Sequence, residues 1–430
     1  MCLIIVSCSL FDNFFIVLCS ANLRVRVISS NGIIRTIAGT GSSSYSGEDI
    51  AGTSSAIGNL SGLDVDSNNS DLYISAYTLR RVFVLTGSNG FVSTFAGSGG
   101  SSSSGDGGPA TSAGFLSPGD IFLESTSKLF IADENGYKIR TVYSVMPTVS
   151  PSVTPSLAPT ILPTVFPTAK PTSTSPTVLP TTAPSMMPSI LPTIVPSLKP
   201  TNVPSSHPTV NPTTSFPTVI PSVLPSIGPS FSPTCLPSAS RSTQNSVSTL
   251  IGTGSGSVSS GSNGPVTAAS IGKPFGVWED SSGNIYVSEY SSNCVRRIQG
   301  GMILDFAGVC NVGGATFDGL RATSANLQFN VGVASSTGGV VYIAANADNR
   351  VLSVSSNGII SYAVGTGASS DSGNEGPATS ASLRGPNGLF VDASGVLFIT
   401  SIYGQNVRKV VGTVIKLVAG LFSLTCAYHG

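Results

Sequence analysis

Short runs of alternating apolar and polar residues recur along the chain, and turns rich in Gly, Asn and Ser separate them. The last group of such runs covers residues 389–392, 397–400, 407–410 and 414–419. Alternation with a period of two between turn residues is typical of half-buried antiparallel strands. The pattern therefore predicts groups of four short strands.

A small-residue signature of the Ala-Gly type ends each group and recurs six times. Its central glycines are Gly39, Gly97, Gly252, Gly308, Gly365 and Gly420. They are 58, 155, 56, 57 and 55 residues apart, so one interval carries about 97 extra residues. Six four-stranded units can bury their faces by packing radially and closing as a ring. We therefore expect an all-β fold, a six-bladed β-propeller of four-stranded antiparallel blades.

An Asn-Gly pair lies between the third and fourth strands of three blades, at 31–32, 89–90 and 357–358. A two-residue hairpin of type I′ needs positive φ at both of its central positions, and Asn-Gly supplies them. These pairs predict tight two-residue turns.

The closest copy of the repeat reads GDGGPAT at 105–111, PG at 118–119, LFIAD at 129–133 and KIRTV at 138–142. It resembles the NHL repeat of teneurin-like and bacterial surface propellers, and the resemblance covers about 330 residues. It implies a fold and no particular activity, since one fold hosts many functions. The acid that ends the second strand in that repeat is present only as Asp133 and Glu289.

A proline-rich stretch interrupts the third repeat, and residues 147–237 hold all but six of the 29 prolines. Such a segment favours extended polyproline II over sheet or helix. The sequence predicts blades one to three in residues 1–145, a low-complexity arm in 146–245, and the rest of the ring in 246–430. Strand 138–142 must then pair with strand 247–251 across the arm. The arm suits an O-glycosylated stalk, an unmodified spacer or a ligand of SH3-like domains.

The first 20 residues are apolar but lack a basic start and include Asp12, unlike a typical secretory signal. Residues 12–27 align without gaps on the repeat at 283–298, which favours strands over a cleaved signal. No apolar run reaches the roughly 18 residues of a membrane span. We expect the chain to start inside the first strand of blade one, so that blade packing closes the ring, unless an N-terminal piece is missing.

Charge and cysteine usage narrow the partner classes. The formal net charge is zero, and nucleic-acid binding requires a basic surplus that this chain lacks. The seven cysteines are scattered and never spaced C-x-x-C, so they predict neither a zinc site nor a disulfide framework.

Histidine is scarce, because His207 in the arm and His429 at the tail are the only two. Zinc lyase chemistry and nucleophile-histidine pairs need imidazoles in the propeller body. We therefore predict no catalytic, cofactor-binding or metal-binding residues.

Several repeated side chains have structural explanations that we prefer to functional ones. We expect the acids after the first strands to cap turns instead of binding calcium. We expect the third-strand arginines to bond between blades, Trp278 to pack in the core, and the glycine-rich loops around Asp106 and Asn374 to be structural and not phosphate cradles. The acids are Asp66, Glu124, Asp280 and Asp392, and the arginines are Arg26, Arg81, Arg140, Arg297 and Arg408.

These features favour a non-enzymatic module that binds or scaffolds a protein or glycan at the cell surface or outside the cell. The alternatives are a calcium-dependent hydrolase of lactonase type and a glycosylated structural component of a wall or matrix. Neither a cofactor nor a nucleic-acid partner is expected.

Overall fold

A computed structural model describes residues 15–29, 31–125, 128–143, 245–254, 256 and 258–420. Six antiparallel sheets form six blades, and the predicted propeller is confirmed. Blades one and two contain β1 (Phe15–Cys19), β2 (Arg24–Ile28), β3 (Ile34–Ala38), β4 (Ile50–Ala51), β5 (Leu60–Val65), β6 (Leu72–Ala76), β7 (Arg81–Leu85) and β8 (Phe91–Ala96). Blade three contains β9 (Pro118–Ser125), β10 (Lys128–Asp133), β11 (Lys138–Tyr143) and β12 (Ser246–Ile251).

The remaining blades repeat the same order of strands. Blade four contains β13 (Gly264–Pro265), β14 (Pro274–Glu279), β15 (Ile285–Glu289), β16 (Cys294–Gln299) and β17 (Met302–Ala307). Blades five and six contain β18 (Asn330–Ser335), β19 (Val341–Ala345), β20 (Arg350–Val354), β21 (Ile360–Val364), β22 (Pro386–Val391), β23 (Leu397–Ser401), β24 (Asn406–Val411) and β25 (Val414–Ala419). The four strands predicted for blade six thus form, with small shifts at their ends.

The only helices among the described residues are seven short 3₁₀ turns. They are Ser20–Asn22, Gly52–Ser54, Ala110–Ser112, Glu134–Gly136, Val266–Ala268, Ala322–Ser324 and Ala378–Ser380. None of these elements has the length and apolar character that a membrane-spanning helix needs.

Blade one shows three strands in the described part of the chain, and the predicted first strand of that blade lies outside the described residues. The strand prediction for the segment after Asp12 is confirmed by β1 and β2, which pair in register. Blade one meets blade six through Phe15 and Phe398, whose ring centroids are 5.2 Å apart. Val17 and Val407 belong to the same buried cluster, so these two blades share a packed apolar interface.

Blade three unites the two sides of the proline-rich stretch. β11 and β12 pair antiparallel, with Val142 opposite Val247 and Tyr143 opposite Ser246. The expected pairing of strands 138–142 and 247–251 is therefore observed. The predictions about the arm itself concern residues that lie almost entirely outside the described ones, and the boundaries 146 and 245 stay predictions.

The loop that enters each blade from the preceding one has three tasks. First, it covers the outer edge of that blade, as β4 does on β8 and β13 on β17. Second, it bonds to the end of the preceding blade: Gly97 N–H donates to Ala110 O at 2.9 Å and Ser98 N–H to Ala113 O at 2.8 Å. Third, it places an apolar side chain between blades. These fully buried side chains are Ile57, Phe115, Ile271, Leu327 and Leu383.

The Asn-Gly turns differ from the predicted two-residue type. At 357–358, Ser355 N–H donates to Ile359 O and Gly358 N–H donates to Ser355 O. Gly358 has φ of +77°, while Asn357 is not in the positive-φ region. The hairpin is therefore a type I turn followed by a left-handed glycine, which is the usual three-residue solution.

A disulfide joins Cys294 to Cys310, with Cα atoms 5.0 Å apart, a bond that the scattered spacing of the cysteines did not indicate. Each cysteine replaces one member of a pair that is repeated in other blades. In those blades a cation at the start of the third strand lies over a glycine that follows the Ala-Gly signature. The pairs are Arg24 with Gly41, Arg81 with Gly99, Lys138 with Gly254 and Arg350 with Gly367. Because both positions change together in blade four, the disulfide takes the place of the contact between the cation and the glycine.

Replacing the disulfide by the cation–glycine contact of the other blades tests whether the two are equivalent. We expect Cys294→Ala alone to lower stability by about 3 kcal/mol, the value for closing a loop of about 15 residues. The double variant Cys294→Arg with Cys310→Gly should recover part of that loss and no longer respond to reductant. Thermal melting with and without dithiothreitol measures both effects. If Cys294→Ala melts at the wild-type temperature, the disulfide has no stabilising role.

Removal of the insertion tests the single ring. Replacement of residues 146–245 by Ser-Asn-Gly should yield a compact, cooperatively unfolding monomer, because β11 and β12 already form neighbouring strands. Size-exclusion chromatography and thermal melting provide the measurement. Aggregation of this variant, together with soluble and cooperative behaviour of the separately expressed halves, would show two domains joined by the arm.

Candidate functional site

In blades two to six, the first strand lines a central channel, and neighbouring first strands approach one another closely. Glycine at the third position permits the approach. A Cβ added to Gly276 would lie 2.5 Å from Val331 O, and one added to Gly332 would lie 2.2 Å from Asn387 O. The neighbouring blade therefore excludes any side chain there. Blade three departs from the pattern with Asp120, whose carboxylate accepts a hydrogen bond from Val277 N–H in blade four at 3.3 Å.

Aromatic side chains narrow the channel beyond this point. The Trp278 ring lies 4.9 Å from Phe122 and 6.2 Å from Phe390, measured between ring centroids. Its indole N–H donates to Ser335 Oγ at 2.9 Å. Trp278 is on an inner strand as predicted, but it connects blades across the channel and is only half-buried. These rings form the floor below one end of the channel.

At that end the channel opens into a cavity of about 410 Å³, which we call the mouth cavity. The loops between second and third strands and the starts of the first strands form its wall. Polar and aromatic side chains from all six blades line it: Ser20, Asn59, Tyr77, Glu134, Lys273, Phe275, Tyr290, Asn346, Asn387 and Tyr403. Tyr403 is 58% exposed, so its ring is available at the rim.

One carboxylate and one ammonium group face the mouth cavity. Burial raises the pKa of Glu134 to about 7, and Asp133 raises it too, while Lys273 opposes the shift. Asn135 Nδ2, beside Glu134, donates to Tyr77 Oη at 3.1 Å and fixes that tyrosine at the wall. The cavity thus combines rings and uncharged polar groups with a nearly balanced charge.

Two carboxylates on the inner strands connect neighbouring blades. Asp64 Oδ2 accepts from Leu123 N–H at 2.7 Å, as Asp120 does from Val277 N–H. Burial raises the pKa of Asp64 to about 6 and that of Asp120 to about 7, and hydrogen bonds from backbone N–H groups only partly offset it. Both side chains therefore link neighbouring blades, and burial disfavours their ionised forms.

The acids that follow the first strands behave largely as predicted. Asp280 Oδ1 accepts from Ser282 N–H at 2.9 Å, and Asp392 Oδ1 accepts from Ser394 N–H at 2.9 Å. Asp66 caps its turn in the same way. Glu124 differs, because it pairs with Lys128 at 2.7 Å. Within the described ranges, no three His, Cys, Asp or Glu side chains are grouped so that they could hold a metal ion.

The third-strand arginines bond to the loops between blades. The Arg140 guanidinium is fully buried and donates to Gly114 O at 3.2 Å and to Asp106 at 3.1 Å. Arg408 bonds in the same way to Ser382 O at 2.6 Å and to Asn374 at 2.9 Å. The glycine-rich loops around Asp106 and Asn374 are thus structural, as predicted.

Arg297 and Arg81 do not occupy the position of Arg140 and Arg408 in their blades. In blade four the buried arginine is Arg296, which lies 2.9 Å from Asp305, and not Arg297. Because successive residues of a strand point to opposite faces, a shift of one residue places Arg297 over Phe306 instead. In blades one and two, Arg24 and Arg81 at the strand start donate to Thr40 O and Ser98 O. Arg26 occupies the position equivalent to Arg140, two residues further along.

The residues of the mouth cavity are not predicted from the sequence. Tyr77, Tyr290 and Asn346 each follow a second strand, so an alignment of the repeats would have placed them on one face. Their side chains differ from blade to blade, however, and the repeat signature identifies only what the blades share.

Comparison with known proteins supports the fold. No family model and no curated protein sequence matches the chain, so membership of the NHL family is not established. A Bacteroides thetaiotaomicron protein of unknown function is similar with TM-score 0.51 and 14% identity over 94% of this chain and 67% of that one. An auxiliary nutrient binding protein from the same species has TM-score 0.52 and 10% identity over 96% and 68%. Virginiamycin B lyase from Staphylococcus aureus has TM-score 0.44 and 9% identity over 96% and 82%. At identities of 10 to 14%, the likeness to the two Bacteroides structures shows the fold alone.

The raised pKa values predict how stability changes with pH. Asp64 and Asp120 have folded pKa values of about 6 and 7, above the ordinary 3.8, so the folded state binds extra protons between these limits. Their contribution is complete at low pH and is lost as pH rises through 6 to 7. We expect the melting temperature to fall between pH 5 and pH 8. Asp120→Asn keeps an oxygen for Val277 N–H. The melting temperature of this variant should fall less over the same range and should lie above that of wild type at pH 8. Parallel pH profiles for the two proteins would contradict this assignment.

Proposed function

We propose that this propeller is a non-enzymatic binding module, displayed at or beyond the cell surface, whose ligand enters the mouth cavity. The observation that carries the proposal is the concave wall to which every blade contributes and in which aromatic and uncharged polar side chains outnumber the two charged ones. Ligand sites of this size are usually mostly apolar pockets with a few convergent polar groups, and about 410 Å³ lies within their range.

The composition of the propeller body supports binding over catalysis. Neither histidine of the chain lies in the residues that form the blades. For the calcium-dependent hydrolase, Asp66, Asp280 and Asp392 already direct carboxylate oxygens to backbone N–H groups of their own turns. These two features favour recognition as the function.

The disulfide supports the proposed location. Disulfides form and persist mainly in secreted and cell-surface proteins and are rare in reducing compartments. The Cys294 side chain is buried in the structure, so the bond is protected once it has formed. The proposal of a protein or glycan partner outside the cell is consistent with that chemistry.

A variant at the rim tests the proposal. We expect the full chain to bind probes on a glycan array or a peptide array, and Tyr403→Ala to weaken that binding at least tenfold, because Tyr403 is an exposed ring of the mouth cavity. Tyr143→Ala is the matched control, since Tyr143 is also exposed but lies at the far end of the third strand of blade three. Surface plasmon resonance measures both. Equal loss in the two variants, or chemical conversion of the bound probe, would contradict the proposal.

A further inference from the structure

Asn387 is a buried polar side chain whose hydrogen-bonding capacity is unused. It is the second residue of β22, it is 1% exposed, and it lines both the mouth cavity and the channel below. Neither its Oδ1 nor its Nδ2 has a hydrogen-bond partner. Buried amides are nearly always paired, because an unpaired one loses its hydration without compensation. Equivalent positions in blades four and five hold apolar Phe275 and Val331.

We infer that the mouth cavity takes a terminal pyranose unit of a glycan and that Asn387 is its specificity-determining residue. This inference rests on the proposed function. The amide offers a donor and an acceptor side by side, and a pair of adjacent sugar hydroxyls can satisfy both. A carboxylate ligand would satisfy only the donor, and an apolar ligand neither.

A row of aromatic rings supports a ligand that has an apolar face as well as polar groups. Phe275 lies 6.3 Å from Tyr290, and Tyr290 stacks on Phe329 at 5.0 Å, measured between ring centroids. The C–H faces of a pyranose ring pack well on such surfaces while its hydroxyls remain free for polar partners. Among the described residues, Glu134 and Lys273 are the only charged side chains that line the cavity, so its lining carries no large surplus of either charge.

Phe329 holds its ring in place at a conformational cost. Its φ is +49°, in the left-handed region that bulky residues rarely adopt. Gly385 is its counterpart in blade six, because Phe329 N–H donates to Asn293 Oδ1 and Gly385 N–H donates to Asn349 Oδ1, both at 3.0 Å. Backbone strain of this kind is concentrated at functional sites. The glycine in blade six shows that the fold at this position does not require an aromatic ring.

The test uses the full chain and a defined set of probes: free glucose, galactose, mannose and N-acetylglucosamine and their disaccharides. Saturation-transfer NMR and calorimetry measure binding. We expect at least one sugar to bind wild type, and Asn387→Leu to weaken it at least tenfold while the melting temperature stays equal or rises. Phe329→Gly should also weaken binding without loss of stability, since it relieves strain and removes the ring on which the cavity residue Tyr290 stacks. A purely structural residue would lose stability along with binding.

Several outcomes decide the matter. If Asn387→Leu does not fold, Asn387→Val repeats the test with the residue that blade five carries at this position. The inference is wrong if no sugar binds wild type. It is also wrong if a sugar whose binding is weakened by Tyr403→Ala binds the Asn387 and Phe329 variants as tightly as wild type. Binding of a peptide probe at the mouth, lost in Tyr403→Ala, would overturn the sugar assignment and leave the binding module intact. A sugar whose binding is insensitive to Tyr403→Ala would contradict the proposed function as well.

Discussion

The loop that passes from one blade to the next is the interaction on which the rest of this structure depends. A four-stranded blade has an open outer edge and two apolar faces, and neither is stable in water alone. The loop covers the edge of the blade that it enters, bonds to the end of the blade that it leaves, and fills the wedge between them. The buried Arg140 and Arg408 stabilise this loop, because they donate hydrogen bonds to loop carbonyl groups that no strand can pair.

The close approach of the inner strands gives the channel its character. Glycine at the third position lets the backbones meet, and the N–H groups of Leu123 and Val277 bond to carboxylates of the neighbouring blade. A ring that is tight at this level leaves space only at its ends. The mouth cavity is therefore a product of ring geometry, and its chemistry comes from the few positions that the ring does not constrain.

The sequence predicts the ring well because every blade repeats the same physical solution. The Ala-Gly signature, the alternating strands and the glycine-rich loops each occur several times, so the pattern identifies them without any structure. Single events are harder. The Cys294–Cys310 disulfide breaks the repeat at two positions that are 16 residues apart, and only the structure brings them together. Arg296 and Arg297 differ by one place, which decides between a buried and a half-buried side chain. The residues of the mouth cavity were not predicted because they differ from blade to blade, and a repeat pattern identifies only the positions that the blades share.

The pairing of β11 with β12 has a consequence for the integrity of the chain. Five residue pairs join these strands across more than 100 residues of sequence. Hydrolysis of a peptide bond in the proline-rich stretch would therefore not release half of the ring. It would leave two polypeptides that share one sheet, fastened by backbone hydrogen bonds and by the loop that enters blade three. Such a nicked propeller would run as two bands on a denaturing gel and as one particle in solution.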